Sequence, residues 1–237
     1  MTLQELINHA RAVADDSSQL SLWDDTLLTF YANEAQMEAA RRARLFKDSS
    51  TDAICKYTVT AGTQSITLEP RVIFVRICKI DSQDLPLQRI HQIDIDKALP
   101  KWDAGSTDGD AVTHFVPDKD TGVIWFNAPF PTDDVVHLSV IREPLRPMRL
   151  QSVVVVGTAT TTNTAIDPEL RPRHHYGLVN WMLSRMLNMR DVEEKYDPKA
   201  ADGYLALFEG EFGKKSAAFD ETWIEREQMY DDADGTY

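Results

Sequence analysis

The chain has 237 residues, 43% of them hydrophobic, and a formal net charge of -13. That is enough for one large domain or two small ones around a sizeable core. It excludes a general duplex-DNA binder and disfavours docking on anionic lipid, because both need basic surface.

Cys55 and Cys78 fall in strand-like runs and form no CxxC pair. They make neither a disulfide framework nor a zinc site, and read as small buried hydrophobes in a reducing compartment. The start, "MTLQELINHARAVADD", lacks the basic and apolar regions of a signal peptide. The longest apolar runs, "VIFV" at 72–75 and "VVVV" at 153–156, are too short to span a bilayer. The expectation is a soluble protein made in the cytoplasm, with no membrane partner.

The first predicted helix runs from Leu3 to Ala14. Thr2 and Glu5 have capping-box spacing, and Leu3, Leu6, Ile7, Ala10, Val13 and Ala14 make one apolar stripe. The second begins at Ser21, with Asp24 in the Glu position of a capping box and Asp24 and Asp25 at the positive dipole end. Leu28, Tyr31, Ala35 and Ala39 share a face, and Glu38 reaches Arg41 or Arg42 one turn on. The alanines allow another helix to approach closely. Arg41, Arg42 and Arg44 sit where the negative dipole end favours cations.

From residue 53 the period changes to two. "AICKYTVT", "AGTQ" and "SITLEP" read as a hairpin, and "RVIFVRICKI" as a strand buried on both faces. "DIDKALPKW" suggests a short helix. "VTHFVP", "DKDTG" and "VIWFNAP" read as a second hairpin, and "VVHLSVIREP" alternates Val136, Leu138 and Val140 on one face. "LQSVVVVG" is a further strand or an arm. "TATTTNTAI" is low in complexity and reads as a linker. Asp167–Pro168 and Asp197–Pro198 each signal a helix start.

The fold class expected is therefore α+β: a helical bundle formed by N- and C-terminal helices, with an inserted antiparallel β-sandwich or barrel-like domain. The predicted divisions are 1–50 and 161–219 for the bundle, 51–160 for the β domain, and 220–237 for an acidic arm. That arm carries seven carboxylates, Asp220, Glu221, Glu225, Glu227, Asp231, Asp232 and Asp234, against Arg226. Trp223, Ile224, Met229 and Tyr230 are mixed among them, which a purely solvating tail would not need.

No catalytic signature stands out. There is no phosphate-cradling glycine loop, no GxSxG and no HExxH. His174 and His175 are adjacent, so on a helix they point about 100° apart and cannot chelate from one face. They read as part of a basic helix start, "RPRHH". Asp94 with Asp96, and Asp118 with Asp120, are spaced to share a strand face, yet the second pair sits where turn formers are expected. Trp102, Trp125, Phe126 and Phe130 allow a sugar-stacking surface, but aromatics alternating in or flanking a strand are more often core or interface. No metal, cofactor or enzymatic activity is expected.

Three segments in the same order resemble the head-to-tail adaptor (connector) proteins of tailed bacteriophages. They are "LWDDTLLTFYANEAQMEAARRARLF", "HFVPDKDTGVIWFNAPFP", and "DPELRPRHHYGLVNWMLSRMLNM" followed by "YLALFEGEF". The matching features are Trp23, Asn33-Glu34-Ala35 and the basic cluster Arg41, Arg42 and Arg44, then Gly122 and Pro129 in the strand pair. The resemblance implies a structural protein of the virion neck. It implies a ring, usually of twelve copies, that joins the portal protein to a tail or nozzle protein around the DNA channel. On that view the alanine-rich helix is partly core and partly a lateral surface, with Ala35, Ala39, Arg41, Arg42 and Arg44 toward the neighbouring subunit, and Trp223, Ile224, Met229 and Tyr230 meet the portal or a neighbouring subunit. An acidic channel wall would keep the passing genome from adhering. The alternatives are a carbohydrate-binding or hydrolytic tail component built on the Trp-rich strands, and a cellular scaffolding bundle.

Overall fold

The computed structural model describes residues 1–16, 21–104, 111–156, 159–190 and 195–215. Contacts divide the chain into two units, Met1–Ala43 with Arg146–Tyr237, and Arg44–Leu145. The first is helical with one β ribbon. The second is mostly strands.

In the helical unit, α1 (Leu3–Val13) carries the capping box: the Thr2 hydroxyl accepts from the Glu5 N–H and the Glu5 carboxylate from the Thr2 N–H. Its stripe buries Leu3, Leu6, Ile7 and Ala10. Helix α2 (Asp25–Ala43) starts four residues later than the sequence suggests. Its free N–H groups are met by Asp24, whose carboxylate accepts from Leu27, rather than by Ser21. Trp23, just before the helix, is wholly buried. Asp167 does not begin a helix. Its carboxylate accepts the Leu3 N–H at 3.0 Å and so ties this segment to the head of α1. A 3-10 turn, Pro172–His174, then leads into α5 (His175–Leu187). Asp197 does cap α6 (Pro198–Phe212), accepting from Ala200 with proline at the first turn.

Helix α5 packs against α1, α2 and α6. It is apolar nearly all round because it has neighbours on several sides: Leu178, Val179, Trp181, Met182, Leu183 and Met186 are all buried. At Gly177 a side chain would overlap the Phe212 ring, so the glycine is what lets α6 come this close. The segment expected as a linker is instead a strand, β10 (Ala159–Asn163). It pairs antiparallel with β9 (Ser152–Val156). Threonine is a good strand former because its branched side chain suits a pleated surface, and three of them in a row here outweigh the low complexity.

Among its described residues the second unit holds two four-stranded sheets, neither closed into a barrel. In one, β8 (Asp134–Arg142) pairs with β1 (Lys47–Asp48), β2 (Lys56–Val59) and β4 (Val72–Ile80), all antiparallel. In the other the order is β3 (Ser65–Thr67), β7 (Val123–Phe126), β6 (His114–Asp120), β5 (Gln88–Arg89), with β5 parallel to β6. Two short helices, α3 (Asp52–Cys55) and α4 (Gln92–Ala98), flank them.

The inner faces share one core. Val136, Leu138 and Val140 from β8 join Val75, Cys78 and Ile80 from β4, and Phe115, Ile124 and Phe126 from β6 and β7. The Val136–Leu138–Val140 alternation is therefore legible in the sequence. Two expectations are corrected. β2 and β3 do not form a hairpin, because the chain changes sheets between them. The crossing is made at Gly62, whose φ of +84° suits glycine and whose N–H is accepted by Phe130. β4 is buried on one face only. Arg76, Ile77 and Lys79 are exposed, around a register shift next to Val75. β6 and β7 do pair as predicted, turning at Gly122 with φ +73°.

Candidate subunit and partner interface

Helix α2 presents Glu34, Glu38 and Arg42 at intervals of four, one side of the helix. With Trp181, Ser184 and Arg185 of α5, Asn188 just after it, and Asp202, Leu205 and Glu209 of α6, they line a groove of about 370 Å³. Arg42 lies across it. Its Nε donates to Glu38 at 2.9 Å, its guanidinium is 3.7 Å from Glu209, and it also donates to the Gly213 carbonyl at 3.4 Å. The same group sits 5.3 Å from both the Trp181 and Phe208 ring centres. Arg185 covers Trp181 at 4.7 Å and pairs with Glu34, which also accepts the Trp181 indole N–H at 3.1 Å.

This arrangement is a brace of charges and rings between three helices. Burial raises the phenol pKa of Tyr31 on the same helix above its ordinary value, so this group stays protonated at neutral pH. Among the described residues no group of three His, Cys, Asp or Glu side chains is placed to hold a metal ion.

The structure separates the residues singled out from the sequence. Ala35 and Ala39 are 0% exposed, so their methyl groups are spent inside the unit. The outward side of α2 carries Phe30, 61% exposed, and Met37, 44% exposed. Arg41 lies beside them, half-exposed and 3.6 Å from Glu38. Arg42 turns inward to the brace. Arg44 opens the second unit, has φ +49°, and stacks 5.2 Å from the Phe74 ring there. Trp223, Ile224, Met229 and Tyr230 lie outside the described residues.

Sequence reasoning missed Phe30 and Met37, and missed Glu34, Trp181, Arg185 and Glu209 in the groove. The Glu34–Glu38–Arg42 and Trp181–Arg185 spacings were visible. Which helix would face which was not.

The other candidates resolve individually. Trp102 is buried and Trp125 half-buried, in an edge-to-face pair 6.3 Å apart. Lys119 stands 3.7 Å from the Trp125 ring, and the two indole N–H groups donate to Asp96 and Asp120. They form no open platform for a sugar. Asp94 and Asp96 lie on α4, not on a strand, where residues two apart face different ways. Asp118 accepts from the Gln92 N–H and faces His91 at 2.8 Å. The expected basic helix start is split. Arg171 and Arg173 are exposed, His174 pairs with Glu211, and His175 is buried with its Nε2 donating to the Leu170 carbonyl.

Among the described residues no helix is long and apolar enough to cross a membrane. No curated protein matches the chain. A family model described as SU10 adaptor protein matches residues 1–230, nearly its whole length and all three segments that carried the resemblance. The chain therefore belongs to the SU10 adaptor protein family, the structural head–tail adaptors of bacteriophages.

Proposed function

We propose that this protein forms a ring of twelve copies in the virion neck, joining the portal to a tail or nozzle protein around the DNA channel. The single observation that carries the reading is the family match across 1–230. The geometry supports it with an acidic chain that has no assembled catalytic or metal site among its described residues. In this reading α1, α2, α5 and α6 act as one rigid bundle. Its lateral contact is the outward side of α2, with Phe30, Met37 and Arg41 against a different face of the next copy, as a closed ring requires. Ala35 and Ala39 support that surface from beneath, and Arg42 holds its end in place. Trp223, Ile224, Met229 and Tyr230 anchor the acidic arm on the portal, where aromatic and apolar groups supply most of the binding energy. The net charge of -13 keeps the genome moving past without adhesion.

The test is native mass measurement of the purified protein, alone and mixed with portal. A closed multiple of the monomer, formed alone or on the portal, is expected. Monomer under both conditions overturns the ring. Phe30→Asp with Met37→Glu should leave the thermal unfolding midpoint unchanged and prevent the multiple from forming.

A further inference from the structure

β9 and β10 pair with each other and, among the described residues, with no other strand. Their register runs from Val156 opposite Ala159 to Ser152 opposite Asn163. The same spacing returns at the stem, where Arg149 and Ile166 exchange both backbone hydrogen bonds at 3.1 and 2.9 Å. A two-stranded ribbon by itself is marginal in water, and it leaves an open edge on each side.

The sequence of the ribbon increases the need for cover. The chain is 27% charged, yet no charged residue falls between Arg149 and Asp167. Exposed edge strands ordinarily carry lysine, proline or a bulge to discourage pairing with other chains, and an uncharged β-branched run without them is an aggregation hazard. β9 has valine at four successive positions, 153–156. Because successive strand residues alternate between faces, both faces of β9 are apolar by sequence, the pattern of a strand covered on both sides.

We infer that the hairpin pairs edge to edge with the same hairpin of a neighbouring copy, β10 of one against β9 of the next. This rests on the ring reading above and says which backbone joins the copies. A strand from another protein would satisfy one edge and leave the other open. A second copy satisfies both, because the β9 edge and the β10 edge are the two different surfaces of a head-to-tail repeat. When the repeat closes, no edge remains. Composition agrees. Inside the hairpin, the register sets valine opposite threonine at Val155–Thr160, Val154–Thr161 and Val153–Thr162. An antiparallel contact of β10 with the next β9 repeats that Val–Thr pairing.

The experiment uses the full chain. Amide hydrogen exchange across 150–166 is compared between monomer and assembled ring, alongside native mass. Exchange should slow by more than about tenfold on assembly, as for backbone newly placed in a ladder. Neighbouring strand residues direct their N–H groups to opposite edges, so of Val154→Pro and Val155→Pro one removes a bond within the hairpin and the other a bond outside it. Both should lose the ring while keeping the thermal midpoint of the monomer. A ring of full mass whose 150–166 amides still exchange fast, or both proline variants assembling at normal yield, overturns the hairpin contact and leaves the ring standing. Protection that appears only when portal is added to a ring already formed also overturns it, in favour of a portal strand. Failure to self-associate with or without portal overturns ring and hairpin together.

Discussion

Asp48 shows how far one side chain can organise its surroundings. It is buried, and its carboxylate accepts from the Ser50 and Thr51 N–H groups, the Thr51 hydroxyl at 2.7 Å and Arg142 Nε at 2.6 Å. Burial alone would raise its pKa. The backbone N–H of Ser50, the Thr51 donors and Arg142 outweigh burial and hold the group far below the usual carboxylate range. The folded chain therefore binds this proton more weakly than the unfolded chain does. The contribution to stability is complete above about pH 4, the ordinary aspartate pKa, and is lost progressively as pH falls below it. Denaturant unfolding of the second unit at pH 7 and at pH 3 should show the loss. Arg142→Ala at pH 7 strands a buried carboxylate and should cost about 3–5 kcal/mol. Burial likewise pushes the Cys78 thiol up to about 12, and raises that of Cys55 with help from Asp48. With a thiol reagent at pH 8, neither cysteine should react in the native protein and both should react in denaturant.

At the scale of elements, the close packing of α5 with its neighbours depends on small residues at contact points. Gly177→Ala places a methyl group against the Phe212 ring and should cost about 1–3 kcal/mol, read as a lowered thermal midpoint. Ala39→Leu, at a position with no exposure, should cost a similar amount for the same reason. An unchanged midpoint in either variant would mean that the α5 or α2 contact is looser than described.

The elements also show why some boundaries were legible and others were not. Thr2 and Asp197 are caps whose partners lie within three residues, so local spacing was sufficient. Asp167 carries the same signal, but its partner is Leu3 at the other end of the chain. Local spacing has no access to a competitor so distant. β2 and β3 look like a hairpin for the same reason: alternation identifies strands, while pairing partners are chosen by the core they enter.

For the whole molecule, the decisive variant is a truncation after Phe219. The last buried residue of α6 is Phe212, so the shortened chain should keep its unfolding midpoint. Without Trp223, Ile224, Met229 and Tyr230 it should fail to join the portal, leaving heads that leak DNA or lack tails. Infectious particles at normal yield would reduce the arm to a solvating extension.

The sequence by itself determined the α+β class, the helix–strand–helix order, the Val136–Leu138–Val140 face and the family, because these follow from short-range periodicity and from segments that can be matched one at a time. Only the tertiary structure decided that Ala35 and Ala39 lie inside the unit while Phe30 and Met37 face outward. It also decided that Arg42 is a brace rather than a surface charge, and that a threonine-rich stretch is half of an open ribbon. These outcomes depend on which helix packs on which side of α2 and which strand finds which edge. Periodicity identifies an apolar or small-residue face, but the neighbour that buries it is set by contacts between residues far apart in the chain.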